Sequence, residues 1–265
     1  MLKSIRLDLQ LIKSKRLLVA MIAKNVNPYI KRVLANAHRY GSYFSDYSIT
    51  VIDGHSTDGT FETCQEDSKV TVFRQPSTFL SRPFSLCEAR NMYLSLLESQ
   101  FGENVYLLVL DSDIINCDPM DESGFLSCFS YPLEEWDMMG ANQTHSYYDV
   151  WTLRSSECPE DFQEVMRREG NYDYTSFHYL KKNQVPKPRQ QAPYAVESAF
   201  GGAALYHTEK IKGLRYKCFV EELGNPFWGA WKEVCEHVPF CQALRAKGGR
   251  LFINPAFINA SGLNY

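Results

Sequence analysis

The chain has 265 residues, of which 45% are hydrophobic and 22% are charged, and its formal net charge is -3. This composition is typical of a globular protein, and a chain of this length can bury about three-quarters of the surface that it exposes when unfolded. The slightly acidic balance excludes a general attraction to nucleic acid or to anionic lipid, so a bound phosphate needs a local site. We expect one domain, residues 1–265.

The N-terminal region shows no pattern that we recognise as a targeting segment. Its apolar run from Leu17 to Ala23 is much shorter than the ~18 to 20 residues that span a bilayer, and no small-residue cleavage site follows it. The eight cysteines include no Cys-x-x-Cys pair, which favours reduced, buried thiols, with secretory disulfides as the alternative. These features predict a cytoplasmic protein without a membrane span.

The first half of the chain alternates apolar runs with helical patterns, which is typical of parallel strands joined by crossover helices. The predicted strands are residues 16–23, 47–52, 69–74 and 105–110. The predicted helices are residues 28–40, 85–99 and a short one that ends near residue 67 and is capped by Ser56, Thr57 or Asp58. A loop is expected across Pro76 and Pro83.

The pattern after residue 121 is less regular. We predict strands at residues 137–143, 199–207 and 250–253. We predict helices that end near residue 131, that cover residues 157–180 with a break at Gly170, and that cover residues 231–247. Residues 187–189 are expected to form a flexible loop.

Two acidic residues follow the fourth predicted strand, which is almost entirely apolar. Asp111 and Asp113 flank Ser112 at the carboxyl end of that strand. Ligands of open parallel sheets bind at this edge, and paired carboxylates suit a hard divalent cation that is shared with substrate phosphates. The alternative interpretation is a strand that ends in an Asp-containing turn.

A third acid, Asp53, follows the second predicted strand in the same way. It opens the segment from Asp53 to Thr60, which turns the chain into a helix. The Asp53 carboxylate could accept hydrogen bonds from a pyrimidine or a ribose. A glycine turn followed by a helix cap is the alternative.

The order of these segments resembles that of GT-A glycosyltransferases. Asn25 and Pro28 after the first strand, the segment that starts at Asp53, the helical Ala89-Arg90-Asn91 and the Asp111-Ser112-Asp113 motif follow one another over the first half of the chain. This combination is more specific than any one of its pieces. The chain departs from the commoner Asp-Asp-Gly-Ser form of the second segment at Gly54-His55.

The resemblance implies a nucleotide-sugar-binding half, residues 1–115, and an acceptor-binding and catalytic half, residues 116–265. It implies that Asp53 contacts the nucleobase, that Asn25, Arg90 and Ser112 contact the donor, that Asp111 binds the ribose or the metal, and that Asp113 binds the metal.

An acidic segment of the second half, Val234 to Cys241, lies near the start of the last predicted helix. It resembles the Glu-Asp segment of the same superfamily, in which an acid activates the acceptor hydroxyl. Glu236 is therefore the candidate general base, since a carboxylate within hydrogen-bond reach of a hydroxyl can take its proton. His237 is a candidate metal ligand, and a histidine that only packs at a helix start is the alternative.

Two further segments of the second half suit a sugar. Asp149 and Trp151 combine a carboxylate with an aromatic face, and Glu197 adds a second acid. Gly201 and Gly202 would let the backbone approach a ligand closely, so we place them with the donor-binding residues. An aromatic core cluster and a β-bulge are the alternatives.

A basic run comprises Lys181, Lys182, Lys187 and Arg189. A solvated surface explains it most simply, and a mobile cationic loop that covers a pyrophosphate is the alternative.

A narrower resemblance concerns short segments of the second half, such as Gly213-Leu214-Arg215-Tyr216 and Phe252-Ile253-Asn254-Pro255. They are similar to glycosyltransferases of large algal viruses of the chlorovirus type. This resemblance implies glycan synthesis in the host cytoplasm and suggests UDP-xylose as the donor.

The sequence therefore predicts an α/β protein of the GT-A type, with a mostly parallel twisted sheet flanked by helices and a smaller mixed sheet in the C-terminal half. Its predicted function is that of an inverting glycosyltransferase that uses Mn²⁺ or Mg²⁺ and moves a sugar from a UDP-sugar to a hydroxyl of a glycan acceptor. A sugar-phosphate nucleotidyltransferase and a non-catalytic glycan-binding protein of the same fold are the alternatives.

Overall fold

The computed structural model describes residues 2–4, 6–76, 81–221 and 231–261. Its strands are β1 (Arg16–Ala23), β2 (Asp46–Asp53), β3 (Val70–Arg74), β4 (Val105–Asp111), β5 (Met138–Gln143), β6 (Tyr194–Val196), β7 (Ala203–His207), β8 (Phe219–Glu221), β9 (Trp231–Glu233) and β10 (Leu251–Ala260). Its α-helices are α1 (Leu9–Lys13), α2 (Asn27–Gly41), α3 (Thr60–Gln65), α4 (Arg82–Leu97), α5 (Glu122–Leu126), α6 (Phe162–Glu169), α7 (Tyr172–Asn183), α8 (Thr208–Ile211) and α9 (His237–Ala246).

Eight of these strands form one sheet in the order β3-β2-β1-β4-β7-β5-β10-β6. The strands β3, β2, β1 and β4 are mutually parallel, and β10 is parallel to β5. By contrast, β7 is antiparallel to both of its neighbours and β6 is antiparallel to β10. The short strands β8 and β9 form a separate antiparallel pair. The predicted α/β fold with a mostly parallel sheet and a mixed part in the second half is confirmed.

The strand order positions a binding edge beside β1. The strands β2 and β3 lie on one side of β1 and β4 lies on the other, which is the arrangement at which open α/β sheets bind ligands. In the register, Asp53 is opposite Ala23 and Asp111 is opposite Ile22. Both acids therefore leave the sheet at the same edge, on the two sides of β1.

The apolar strands are buried on both faces, as expected for a sheet covered by crossover helices. Leu18 of β1 belongs to a core that includes Tyr93 of α4, and its neighbour Val19 belongs to a second core that includes Val33 of α2. Consecutive residues of a strand point to opposite faces, and each fully buried side chain of this size contributes roughly 1.5 to 3 kcal/mol. This packing makes the binding edge a rigid platform.

The start of α3 differs from the prediction. None of Ser56, Thr57 and Asp58 is its N-cap, because the helix begins at Thr60 after Gly59, whose φ is 89°. The Asp58 carboxylate instead accepts hydrogen bonds from the Thr60 N–H at 3.1 Å and the Thr60 hydroxyl at 2.7 Å. A glycine is favoured at this position because a side chain there would be strained.

The largest correction concerns residues 231–247, which were predicted as one helix. Residues Trp231–Glu233 instead pair with Phe219–Glu221 as a strand, and α9 starts only at His237. Pro239 then lies in the first turn of α9, where proline is tolerated. In a continuous helix it would clash with the carbonyl four residues earlier, which is the signal that the prediction overlooked.

Other boundaries moved less. Pro83 lies in the first turn of α4 and not in a loop, and the end of α6 at Gly170, with φ 71°, confirms the predicted break. The strand expected at residues 199–207 starts at Ala203, because Gly201 and Gly202 both have positive φ. The last strand continues past residue 253 to Ala260.

All eight cysteines are free thiols, and all of them except Cys235 are buried. Within the described part of the chain, no helix has both the length and the apolar character that a membrane crossing requires.

Candidate functional site

A cavity of about 900 Å³ opens at the carboxyl edge of the sheet, and we call it the main cavity. Residues at the ends of β1 and β4, the N-terminal half of α4 and the start of α9 line it. Of the predicted site residues, it brings together Arg90, Asp111, Ser112, Asp113, Asp149, Trp151, Glu236 and His237. Two halves of the chain that are distant in sequence therefore form its walls.

The Asp111-Ser112-Asp113 motif is held by backbone contacts at the end of β4. The Asp111 N–H donates to the Gly202 carbonyl at 2.8 Å, and the Ser112 hydroxyl donates to the Ile22 carbonyl at 2.6 Å. The Asp113 carboxylate is exposed and accepts from the Ile115 N–H at 3.2 Å. The Ser112 side chain therefore fastens the motif to β1 at the wall of the main cavity.

The carboxylates of this wall repel one another. Desolvation, opposed by Arg90 and reinforced by the charges of Asp113, Asp149 and Glu236, raises the pKa of Asp111 to about 8. The side chain of Asp111 is still partly exposed to the cavity. Such a crowded group of acids binds a cation favourably, because the cation relieves the repulsion.

The residues present fit a metal that is shared with a substrate. Among the described residues, no three His, Cys, Asp or Glu side chains are close enough together to hold a metal ion. Mg²⁺ and similar hard cations, however, are commonly bound through one or two carboxylates and substrate phosphates. The exposed Asp113 and the crowded Asp111 offer that partial set, so the geometry fits a divalent cation bridged to a diphosphate.

Glu236 lies directly before α9 and is only 4% exposed. Its Oε1 accepts from the Nε of Arg90 at 2.8 Å. The Nη2 of the same guanidinium lies 3.6 Å from Oδ1 of Asp111. Arg90 thus joins the acid from the second half to the acid at the end of β4.

His237 is 2% exposed and lies in the same wall. Its ring stacks on Phe200 with centroids 4.0 Å apart and meets the edge of Tyr216 at 5.5 Å. Neither ring nitrogen has a hydrogen-bond partner within the described part of the chain. Burial and the nearby Arg90 hold the pKa of His237 well below its usual range, so the ring is neutral.

Asp149 and Trp151 also line the main cavity. The Asp149 Oδ2 accepts from the Gly201 N–H at 3.0 Å and from the Thr152 hydroxyl at 2.7 Å, and burial raises its pKa. Trp151 is 39% exposed, and its ring packs on Phe162 at 4.2 Å. An exposed, supported indole of this kind can stack against the apolar face of a sugar.

Asp53 and Asn25 lie beside the cavity and not in its wall. Asp53 is fully buried, and its Oδ2 accepts from the Ser56 N–H at 3.1 Å and from Arg74 at 3.2 Å. Its Oδ1 has no partner. Asn25, with φ 53°, accepts from the Thr57 N–H and so holds the loop after β2.

Besides Asp53 and Asn25, three more predicted site residues do not line the cavity. Glu197 is exposed and pairs with Arg245 at 3.3 Å, which corrects its placement beside a sugar. Gly201 and Gly202 pack against protein atoms and do not face open space. A Cβ on Gly201 would lie 2.4 Å from the Ala141 carbonyl oxygen. They are needed for close packing behind Asp111 and Asp149.

The basic run is corrected at one residue: Lys181, Lys182 and Arg189 are exposed, as expected of a solvated surface, whereas Lys187 is not. Lys187 is buried with its ammonium 4.4 Å from the centre of the Tyr194 ring, and burial lowers its pKa. Arg189 pairs with Asp121 at 2.5 Å. Both residues line a separate cavity of about 290 Å³ and not the main cavity. Lys187 is therefore not solvated. The segment does not cover the main cavity either, because neither residue lines it.

The sequence analysis missed several wall residues. Lys24 and Arg82 are exposed cations of the main cavity, and Gln75 and Phe200 also line it. Lys24 directly follows β1, just as the predicted acids follow β2 and β4, so its position after a strand could have identified it. Arg82 falls in a segment that was predicted as a loop.

Comparisons with known proteins relate part of the sequence and the fold to glycosyltransferases. Residues 18–119 match the family model described as glycosyl transferase family 2, and no curated protein sequence matches the chain. The chain is similar in structure to the mannosyltransferase PcManGT from Pyrobaculum calidifontis in complex with GDP-Man and Mn²⁺, with 14% identity and a TM-score of 0.54. It is equally similar to residues 1–349 of S. aureus TarS in complex with UDP-GlcNAc, with 14% identity and a TM-score of 0.54.

The fold is that of GT-A glycosyltransferases. The two alignments cover 97% and 94% of this chain. The chain spans 59% of the length of each of these solved chains. The family match ends eight residues after Asp111 and includes Asp53, Arg90 and Asp113.

Proposed function

We propose that the protein is a metal-dependent glycosyltransferase that moves a sugar from a UDP-sugar to a hydroxyl of a glycan acceptor. The observation that carries the proposal is that buried Glu236 and exposed Asp113 face one cavity at the edge of the sheet where ligands of this fold class bind. The family 2 match over residues 18–119 supports it. In this proposal residues 1–115 bind the nucleotide sugar, and residues 116–265 of the same domain bind the acceptor.

The nucleotide is proposed from the state of Asp53. Its Oδ2 is occupied by Ser56 and Arg74, while its buried Oδ1 has no partner. A buried acceptor without a partner costs about 1 to 3 kcal/mol, so a ligand N–H is favoured there. Uracil offers one N–H on the edge between its two carbonyls, whereas guanine offers neighbouring donors that need both oxygens of a carboxylate. One free oxygen therefore favours a uridine nucleotide. Because Asp53 is fully buried beside the cavity, this contact requires the loop after β2, which Asn25 holds, to shift when the donor binds.

The sugar itself is proposed more narrowly. UDP-xylose is the first donor to test, because second-half segments resemble glycosyltransferases of the chlorovirus type. Trp151 and Asp149 would bind the transferred or the accepting sugar, by stacking and by hydrogen bonding. Lys24 and Arg82 supply positive charge near the diphosphate.

Asp113 and Asp111 would hold the divalent cation together with the phosphates of the donor. His237, whose ring nitrogens have no hydrogen-bond partner among the described residues, would become a ligand only after the site rearranges, because it does not form a three-residue metal group with the two acids. A bound cation supplies charge neutralisation on the diphosphate that leaves. Asp111 alternatively accepts from the ribose hydroxyls.

Glu236 is the proposed general base. As it takes the proton of the acceptor hydroxyl, the hydroxyl oxygen forms a bond to the anomeric carbon. The bond between that carbon and the diphosphate oxygen breaks, and its electron pair leaves with UDP. One displacement of this kind inverts the anomeric configuration.

The test is a panel of UDP- and GDP-sugars incubated with the protein, a glycan acceptor and Mn²⁺. We expect release of UDP from one donor, loss of release in the presence of a chelator, and an inverted linkage by NMR of the product. A product with retained configuration would remove the role of Glu236. Consumption of a sugar phosphate with a nucleoside triphosphate would instead indicate a nucleotidyltransferase, and glycan binding without turnover would indicate a binding protein.

A further inference from the structure

Arg90 is an unusual arginine, because it is only 4% exposed although it lies next to a large cavity. A buried guanidinium is destabilising unless its charge and its N–H groups are matched. Here Nε donates to Glu236 at 2.8 Å, and Nη2 lies 3.6 Å from Asp111. Nη1 lies at the limit of a hydrogen bond, 3.5 Å from the Tyr93 hydroxyl.

Aromatic rings fix the plane of this guanidinium. Its Cζ lies 5.1 Å from the centre of the Phe200 ring and 5.6 Å from that of Tyr216, within the range of cation–π attraction. Tyr216 is itself held, because its ring stacks on Phe240 at 4.1 Å and its backbone exchanges two hydrogen bonds with Asn91. The arginine therefore has little freedom to move toward a substrate.

The carboxylate of Glu236 depends on this arginine for its orientation. Arg90 binds Oε1, while Oε2 has, among the residues that the structure describes, only a long contact of 3.8 Å with the Cys235 thiol. Glu236 precedes α9 and its side chain caps no N–H of that helix. The strongest contact that aims its carboxylate comes from a residue 146 positions away.

We infer that Arg90 is a positioning residue that holds the Glu236 carboxylate so that Oε2 faces the acceptor hydroxyl. This inference rests on the proposed function, since it assigns how the general base of that reaction is aimed. It differs from the direct donor contact that the family resemblance implies for Arg90. Arg90 acts on the rate through Glu236, and donor affinity is set elsewhere in the cavity.

The test is a double-mutant cycle with Arg90→Gln and Glu236→Gln, read as kcat, as KM for the acceptor and as the Kd of UDP with Mn²⁺. We expect Arg90→Gln to lower kcat by about 100-fold, as a misaimed catalytic group does, with the Kd of UDP changed by less than about threefold. In the Glu236→Gln background the same substitution should lower kcat by less than about twofold, since the residue it acts through is already disabled.

Arg82→Gln is the matched control, because it removes a guanidinium from the same helix and the same cavity. Its effect should combine additively with that of Glu236→Gln. A tenfold or larger rise in the Kd of UDP for Arg90→Gln, or an additive loss of kcat with Glu236→Gln, would overturn the inference and restore the donor contact. If Arg90→Gln does not fold, Arg90→Lys keeps the buried charge and should show the same pattern with a smaller loss.

A crystal structure of the Arg90→Gln or Arg90→Lys protein separates this inference from the proposed function. We expect the Glu236 side chain to leave its wild-type position while Asp111 and Asp113 stay in place. A Glu236 carboxylate that keeps its position without the guanidinium contradicts the inference, even where transfer is observed. Absence of transfer by the wild-type protein with every donor contradicts the proposed function, and the movement of Glu236 is still measured.

Discussion

The two walls of the main cavity are built in different ways. The first wall carries Asp111 at the end of β4, and Asp53 lies behind it at the end of β2, so both acids are held by the register of these strands with β1. Glu236 of the second wall stands before a helix and is aimed by a side chain that is distant in sequence. The comparison teaches that the proposed donor side is fixed by the backbone, whereas the proposed acceptor side depends on one buried ion pair.

The largest expected effect tests the first wall. Asp113→Ala should lower donor-dependent UDP release about a thousandfold, because several kcal/mol of charge stabilisation are lost and each 1.36 kcal/mol is tenfold in rate. The measurement is UDP release over a series of Mn²⁺ concentrations. Asp118→Asn is the control, since Asp118 bonds to Ser261 outside the main cavity. Normal release by Asp113→Ala would break the assignment of this wall.

The second wall should respond differently. Glu236→Gln should lower kcat for transfer by about 10²-fold, the lower end of the usual contribution of a general base, and leave the Kd of UDP unchanged. Stopped-flow kinetics measures kcat, and calorimetry of UDP binding measures the Kd. A loss of UDP affinity equal to the loss in kcat would mean that the walls do not differ as described.

The strand between the walls, β7, carries a pH-sensitive side chain. Burial lowers the pKa of His207 from 6.5 to about 4, and the ring packs against Trp136 at 4.5 Å and Tyr106 at 4.6 Å. Because the folded protein holds this histidine neutral, the fold has its full stability above about pH 6.5. The free energy of unfolding then decreases as the pH falls toward 4, since the unfolded chain takes up the proton first. The stability lost is about 3 kcal/mol, at 1.36 kcal/mol for each pKa unit.

Urea unfolding at pH 7 and at pH 4.5 measures this effect. His207→Phe keeps the aromatic contacts and removes the titration, so the free energy of unfolding should fall less for the variant than for the wild type between the two pH values. Equal decreases in the free energy of unfolding for the two proteins would show that protonation of His207 does not contribute to the pH dependence of stability.

The smallest effect concerns Trp151, a partly exposed residue of the main cavity. Trp151→Ala should raise the KM for the acceptor by about five- to tenfold through the loss of a stacking contact worth ~1 kcal/mol, with kcat and donor affinity unchanged. Initial rates over a range of acceptor concentrations measure it. Glu197→Gln is the comparison, and it should change neither KM nor kcat because Glu197 lies outside the cavity in an exposed ion pair. A response of Glu197→Gln as large as that of Trp151→Ala would contradict the structure.

The sequence predicted the first wall well and the second wall only in part. The strands that deliver Asp53 and Asp111 were recognised because their apolar runs are local and are bounded by turn residues. The helix that follows Glu236 was predicted six residues too early, because the brief pairing of β9 with β8 is a contact between separate segments. Glu197 was misplaced because an acidic residue near two glycines has no local sign of which way it faces.

By itself, the amino-acid sequence determined the alternation of strands and helices, the carboxyl edge at which the acids emerge, and the pair Asp111 and Asp113. These features follow from the period of apolar residues and from the geometry of parallel sheets, which act over a few residues. Only the tertiary structure decided that Arg90 meets Glu236, that Gly201 packs behind Asp149 and that His207 is buried. Those contacts join segments that are far apart in the chain, and their energies depend on burial and mutual geometry that no local pattern specifies.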